Sequence, residues 1–146
     1  MRRRVSGLPC LAALLVFAVL IIFPRAVFAF SDDDRAASRA IIERQIEAFR
    51  KDDGERAFGF ASPALQEIFR DPNHFMAMVR NGYQPVYRPR NFAFGSIVET
   101  ESGLTATLSI EDAEGHAWTA IYTLEKQPDG SWRISGCRLV KEGLST

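Results

Sequence analysis

The chain has 146 residues, with 18 basic and 18 acidic side chains, and is formally neutral. The balance is uneven: the first 29 residues hold four arginines and no acid, which leaves 14 basic against 18 acidic residues, a net charge of −4, on the other 117. A chain of that size makes one domain whose core needs no disulfide; its acidic balance excludes a nucleic-acid backbone as partner, and two cysteines, Cys10 and Cys137, make no disulfide framework.

The opening MRRR is basic, and the run Leu8 to Phe23 is apolar. Pro24 and Arg25 end the run, and Val27 and Ala29 place small residues three and one before a cut. That order predicts a secretory signal peptide over residues 1–29, cleaved after Ala29. The apolar run of 16 residues is short of the roughly 20 that span a bilayer. The expected location is therefore periplasmic or secreted, with no stable membrane span once the leader is removed. The alternative is a protein anchored to the inner membrane by an uncleaved leader. Three successive aspartates predict a flexible, solvated lead-in over residues 30–39, ahead of a single domain over residues 40–146.

The segment Ile41 to Lys51 predicts an amphipathic helix, with Ile42, Ile46 and Phe49 on one stripe. Asp52-Asp53-Gly54 turns the chain into a short helix over Glu55 to Phe60. Ser62-Pro63 and Asp71-Pro72 each pair a capping side chain with proline at the first helical position. The helices they start carry Leu65, Ile68 and Phe69, then Phe75, Met78 and Val79. Asn81-Gly82 ends the second of them. Gly82 to Arg90 holds Pro85 and Pro89 and reads as an ordered extended loop, with an edge strand near Val86-Tyr87.

After Pro89 the hydrophobic period falls to two. Phe92, Phe94, Ser96 and Val98 share one face of a first strand, and Leu104, Ala106, Leu108 and Ile110 share one face of a second. Trp118, Ala120, Tyr122 and Leu124 point inward from a third, and Asp129-Gly130 marks a hairpin into the fourth. In that last strand Trp132 and Ile134 are out of phase with Cys137 and Leu139. One extra residue at Ser135-Gly136 restores a single apolar face, which predicts a β-bulge. Cys137 is then a small apolar side chain just beyond it.

Helices followed by a run of strands give an α+β fold, with N-terminal helices packed on a curved four-stranded antiparallel meander. Its element order resembles the cone-like fold of nuclear transport factor 2 and ketosteroid isomerase, and the resemblance implies a pocket between sheet and helices. A second resemblance rests on Asp52-Asp53, Ala61-Ser62-Pro63 with Gln66 and Phe69, and Met78-Val79 with Gly82-Tyr83. It continues through Pro85-Val86, Pro89, Trp118 with Tyr122, and Asp129-Gly130-Ser131-Trp132-Arg133-Ile134 with Gly136-Cys137. Together these resemble the bacterial family called domain of unknown function 4864, over about Ile41 to Val140. The resemblance implies a small exported domain and carries over no catalytic residue.

An isomerase of the cone fold needs a carboxylate base and a hydrogen-bond donor in an apolar cavity. Among the inward positions only Tyr122 has a polar end, and Asp112 reads as part of the turn toward Gly115. His74 and His116 are not at ligand spacing, and no nucleophile elbow or phosphate loop is present. No catalytic residue, metal ligand or cofactor is assigned. From Pro72 to Val98 there is no acidic residue, while the stretch holds His74, Arg80, Arg88 and Arg90 with Tyr83, Tyr87, Phe92 and Phe94 interleaved. Arginine pairs well with carboxylate and phosphate. Arg80, Tyr83, Tyr87, Arg88, Arg90 and Tyr122 are accordingly the candidate residues for a small anionic ligand or an envelope protein. The expected function is a non-catalytic ligand-binding or protein-interaction module of the cell envelope, with a homodimer through the sheet left open. The alternative is a small isomerase-like or hydrolase-like enzyme.

Overall fold

The structure, a computed structural model, describes residues 29–143. The expected leader therefore lies outside the described residues, except for Ala29. Five helices come first: α1 (Asp32–Arg50), α2 (Gly54–Gly59), α3 (Pro63–Phe69), α4 (Pro72–Gly82) and α5 (Gln84–Tyr87). Four strands follow: β1 (Asn91–Thr100), β2 (Gly103–Glu111), β3 (Ala117–Lys126) and β4 (Trp132–Lys141). They form one antiparallel meander in the order β1-β2-β3-β4. Among the described residues no helix is long and apolar enough to cross a membrane.

The lead-in expected at residues 30–39 is instead the start of α1. Ser31 is its N-cap and forms a reciprocal capping box with Asp34, and the aspartates at 32, 33 and 34 sit where the helix dipole favours negative charge. Tertiary contacts hold this turn down. Asp34 accepts hydrogen bonds from Lys126 Nζ at 2.7 Å and Trp132 Nε1 at 3.0 Å. The Phe30 ring meets the Trp132 ring edge-on at 5.0 Å.

The core lies between the helices and the concave face of the sheet. Ile42, Ile46 and Phe49 of α1 meet Leu104, Ala106, Leu108, Ala120, Tyr122 and Leu124 of the central strands. The predicted bulge in β4 is present: Thr123 pairs with Gly136 but Leu124 pairs with Ile134, so Ser135 is the extra residue. A second bulge, in β1, differs from expectation. Pairing jumps between Phe94 and Ile97, so Ile97 turns inward beside Phe92 and Phe94 while Val98 is exposed. Gly95 allows the kink, because a Cβ there would meet Thr107 Oγ1 at 2.8 Å. Each bulge bends its strand and curls the sheet around α1.

The stretch expected to be an extended loop with an edge strand near Val86-Tyr87 is the one-turn helix α5. Pro85 fits a first helical turn, where its missing N–H costs nothing, and burial of Pro85, Val86 and Tyr87 against the core holds the turn in place. The link from α2 to α3 docks on the free edge of β4. Ser62 N donates to Ile134 O at 2.8 Å, and Ile134 N donates to Phe60 O at 2.9 Å. That pairing covers the edge strand upstream of its bulge and hangs α3 over the end of the core.

Candidate functional site

The core is not filled everywhere. A cavity of about 290 Å³ opens between the helices and the β3–β4 end of the sheet. Gln45 and Phe49 of α1 form its floor, and Leu65 and Phe69 of α3 and Phe75, Met78 and Val79 of α4 form one wall. Tyr83, the N-cap of α5, and Val86 within it form another wall, and Tyr122, Ile134, Gly136 and Cys137 face them from the sheet. Phe75 lies within 5.6 to 6.1 Å of the rings of Phe69 and Phe49, so the wall is aromatic.

Local sequence explains the empty space. Tyr122 points inward by the alternation of β3, and its cross-strand neighbours are both small: Ala106 on β2 and Cys137 on β4. The bulge at Ser135 brings Gly136, with no side chain, to the same rim. The Tyr122 side chain is fully buried, and its hydroxyl has no hydrogen-bond partner among the described residues. Leaving such a group unsatisfied costs about 1–3 kcal/mol. Ser38 Oγ on α1 is also buried without a partner, but Ser38 does not line the cavity.

Burial, and then the neighbouring Cys137 thiol, push the Tyr122 phenol well above its ordinary value. Burial likewise pushes the Cys137 thiol up to about 12, with the Tyr122 hydroxyl opposing it. Both groups stay protonated at neutral pH, so they offer hydrogen bonds and not a nucleophile or a base. Gln45 donates from Nε2 to the Ala57 carbonyl at 3.2 Å, and nothing among the described residues donates to its Oε1.

The six residues singled out in the sequence fall in three places. Tyr83 and Tyr122 line the cavity. Arg80, Tyr87 and Arg88 converge instead on Asp52, which follows α1 with a left-handed φ of 55°. Arg88 reaches Asp52 Oδ2 at 2.7 Å, Arg80 reaches Oδ1 at 3.3 Å, and the Tyr87 hydroxyl donates to Oδ1. The Arg88 guanidinium also lies 4.9 Å from the centre of the Tyr87 ring. The hydrogen bond from Tyr87, followed by the two arginines, holds the Asp52 carboxyl below its ordinary value. Arg90 stands apart, on Glu111 Oε1 and the Ala113 carbonyl, each at 2.8 Å.

Asp112 is the turn residue the sequence suggested, and a buried one. Oδ1 accepts the backbone N–H groups of Glu114 at 3.0 Å and His116 at 2.8 Å, and Oδ2 accepts Trp118 Nε1 at 2.8 Å. Burial raises its pKa, but the Trp118 and His116 donors outweigh that and hold it at about 2. Asp112, Glu114 and His116 cluster within 4.8 Å. The Asp112 oxygens in that cluster already serve the turn.

Sequence reasoning missed Gln45 as a cavity residue and Asp52 as the partner of the arginines. Gln45 directly precedes Ile46 of the predicted stripe, and a glutamine beside apolar neighbours was the available signal. Asp52 read only as a turn former, because its partners lie 28 and 36 residues away.

Helices closing one face of a curled four-stranded meander over a cavity define an NTF2-like α+β fold. Solved structures agree. An NTF2-like protein of unknown function from Shewanella baltica OS155 superposes with a TM-score of 0.55 and 14% identity, over 79% of this chain and 98% of that one. A second such protein, from Silicibacter pomeroyi DSS-3, gives 0.51 and 19% over 78% and 100%. Residues 31–145 match the family described as domain of unknown function DUF4864, and the chain belongs to that family. Among curated proteins none matches the chain.

Proposed function

We propose that this protein is an exported, non-catalytic binding module of the cell envelope, and that the cavity in front of Tyr122 is its ligand site. The observation that carries the reading is the buried Tyr122 hydroxyl with no partner, set in an apolar cavity of about 290 Å³. Small-molecule sites share this composition: mostly apolar walls with a few placed polar groups. Catalysis by proton transfer needs a group that titrates near the working pH. The lining supplies no carboxylate or histidine, and the Cys137 thiol is held protonated. The basic, apolar and small-residue pattern of residues 1–29 supports export.

Native mass spectrometry of the protein purified gently from its own envelope fraction tests both parts. The expected result is a chain beginning at Phe30 that carries extra bound mass. Leu65→Trp, which fills the cavity from α3, should lose that mass. A bare wild-type protein would sink the ligand site, and a chain still beginning at Met1 in the soluble cell interior would sink export.

A further inference from the structure

We infer that the ligand of this cavity is neutral: a flat, mostly apolar molecule of about two fused rings, with one hydroxyl or carbonyl placed on the Tyr122 hydroxyl. The inference rests on the cavity being a ligand site and adds the chemistry of what enters.

Charge is decided by the lining. No aspartate, glutamate, histidine, lysine or arginine contributes to the cavity wall. An ionised carboxylate or ammonium placed there would lose its water and meet no counter-charge, which is among the costliest transfers a protein can make. The arginines that would have neutralised an anion lie outside the cavity, on Asp52 and Glu111.

Polarity is decided by two side chains. The Tyr122 hydroxyl can both donate and accept, and it is unpartnered. Gln45 Oε1 accepts nothing among the described residues and offers a second acceptor. A ligand hydroxyl or carbonyl placed on Tyr122 satisfies the stranded phenol.

Size and shape follow from the walls. An apolar cavity of about 150 Å³ holds benzene, so 290 Å³ holds about twice that. Phe49, Phe69 and Phe75 line the space as a cluster of packed aromatic rings, which favours an aromatic or otherwise planar body.

Three probes of nearly equal shape separate these statements: naphthol, naphthalene and naphthoate, titrated calorimetrically into the wild-type protein and into Tyr122→Phe at neutral pH. The wild type should bind naphthol about tenfold more tightly than naphthalene, the effect of one rescued hydrogen bond. Naphthoate should bind at least about tenfold more weakly than naphthol. In Tyr122→Phe the preference for naphthol over naphthalene should vanish while naphthalene still binds. Naphthoate binding as tightly as naphthol would overturn the neutral ligand and leave the site intact. An undiminished naphthol preference in Tyr122→Phe would overturn the role of the hydroxyl. If no probe binds, the cavity is not a ligand site, and the reading beneath this one falls as well.

Discussion

Tyr122 and Cys137 face each other across β3 and β4 as register partners, just beyond the bulge at Ser135. The pair sets a large phenol against a small thiol at the rim of the cavity, with neither able to ionise at neutral pH. The thiol lies beside the phenol and helps to raise its pKa, while the hydroxyl finds no partner of good hydrogen-bonding geometry among the described residues.

The free protein should therefore gain stability when that hydroxyl is removed. Tyr122→Phe keeps the ring and deletes an unsatisfied polar atom, so denaturant unfolding should shift upward by about 1–2 kcal/mol. Gain of stability with loss of ligand preference is the exchange expected at a binding site. A lower unfolding midpoint would mean that the hydroxyl is already satisfied in the folded protein.

Cys137 should resist thiol reagents while the protein is folded. Its pKa rises from an ordinary 9.0 to about 12 through burial, so the reactive thiolate is scarce. At pH 8, alkylation by iodoacetamide should run at least about a hundredfold slower than in denaturant. The linkage has a definite sign. Below pH 9 both states hold the proton and the stability is full. Between pH 9 and 12 the unfolded chain releases it first, so stability falls as pH rises. Cys137→Ala should lack that component of the alkaline loss. Rapid alkylation of the native protein would contradict the suppression of the thiolate at this partly buried position.

At the acid end, Asp112 dominates one turn and Asp34 another. Asp112 is held at about 2 against an ordinary 3.8. Asp34 is held lower still by hydrogen bonds from Lys126, then Trp132. As pH falls below about 4, the unfolded chain takes up these protons first, so stability is complete above that value and drains away toward pH 2. Asp112→Asn should start from a lower stability at neutral pH and lose less of it on acidification. Equal acid slopes in circular-dichroism melts of the two proteins would count against this assignment.

The arginines on Asp52 act as a unit, since Arg80 and Arg88 share one carboxylate with the Tyr87 hydroxyl. Arg80→Ala and Arg88→Ala should each lower the thermal midpoint, and in the Asp52→Asn background their effects should shrink. Neighbours sharing a partner are not additive. Strictly additive midpoints across the cycle would show that the three side chains do not communicate. Asparagine keeps the left-handed backbone at residue 52 accessible, so the cycle reports the charge and not the turn.

Several features of the fold were legible in the residues. The two Ser/Asp-Pro helix starts, the period-two strands and the hairpin at Asp129-Gly130 are written in local chemistry, and all are present. The bulge in β4 was legible for the same reason, because a phase slip between Ile134 and Cys137 has one simple repair. The bulge in β1 was not, since Ser96 and Val98 continue the alternation without a visible break. The lead-in misled because three aspartates suit both a solvated coil and a helix N-terminus. Its outcome turned on Trp132, which reaches Asp34 across 98 residues.

The sequence by itself determined the order of α2 to α4 and of the four strands, the caps at Ser62 and Asp71, the hairpin turn at Asp129-Gly130, and the inward face of β2 and β3. Those depend on interactions between residues a few positions apart, whose geometry the backbone sets. Tertiary structure alone decided that Tyr122 would lack a partner, that Asp52 would gather Arg80 and Arg88, and that α3 would cap a cavity instead of closing it. Such outcomes depend on which side chains meet after the sheet curls around α1. A hydroxyl is satisfied or stranded only by neighbours that folding brings from elsewhere in the chain.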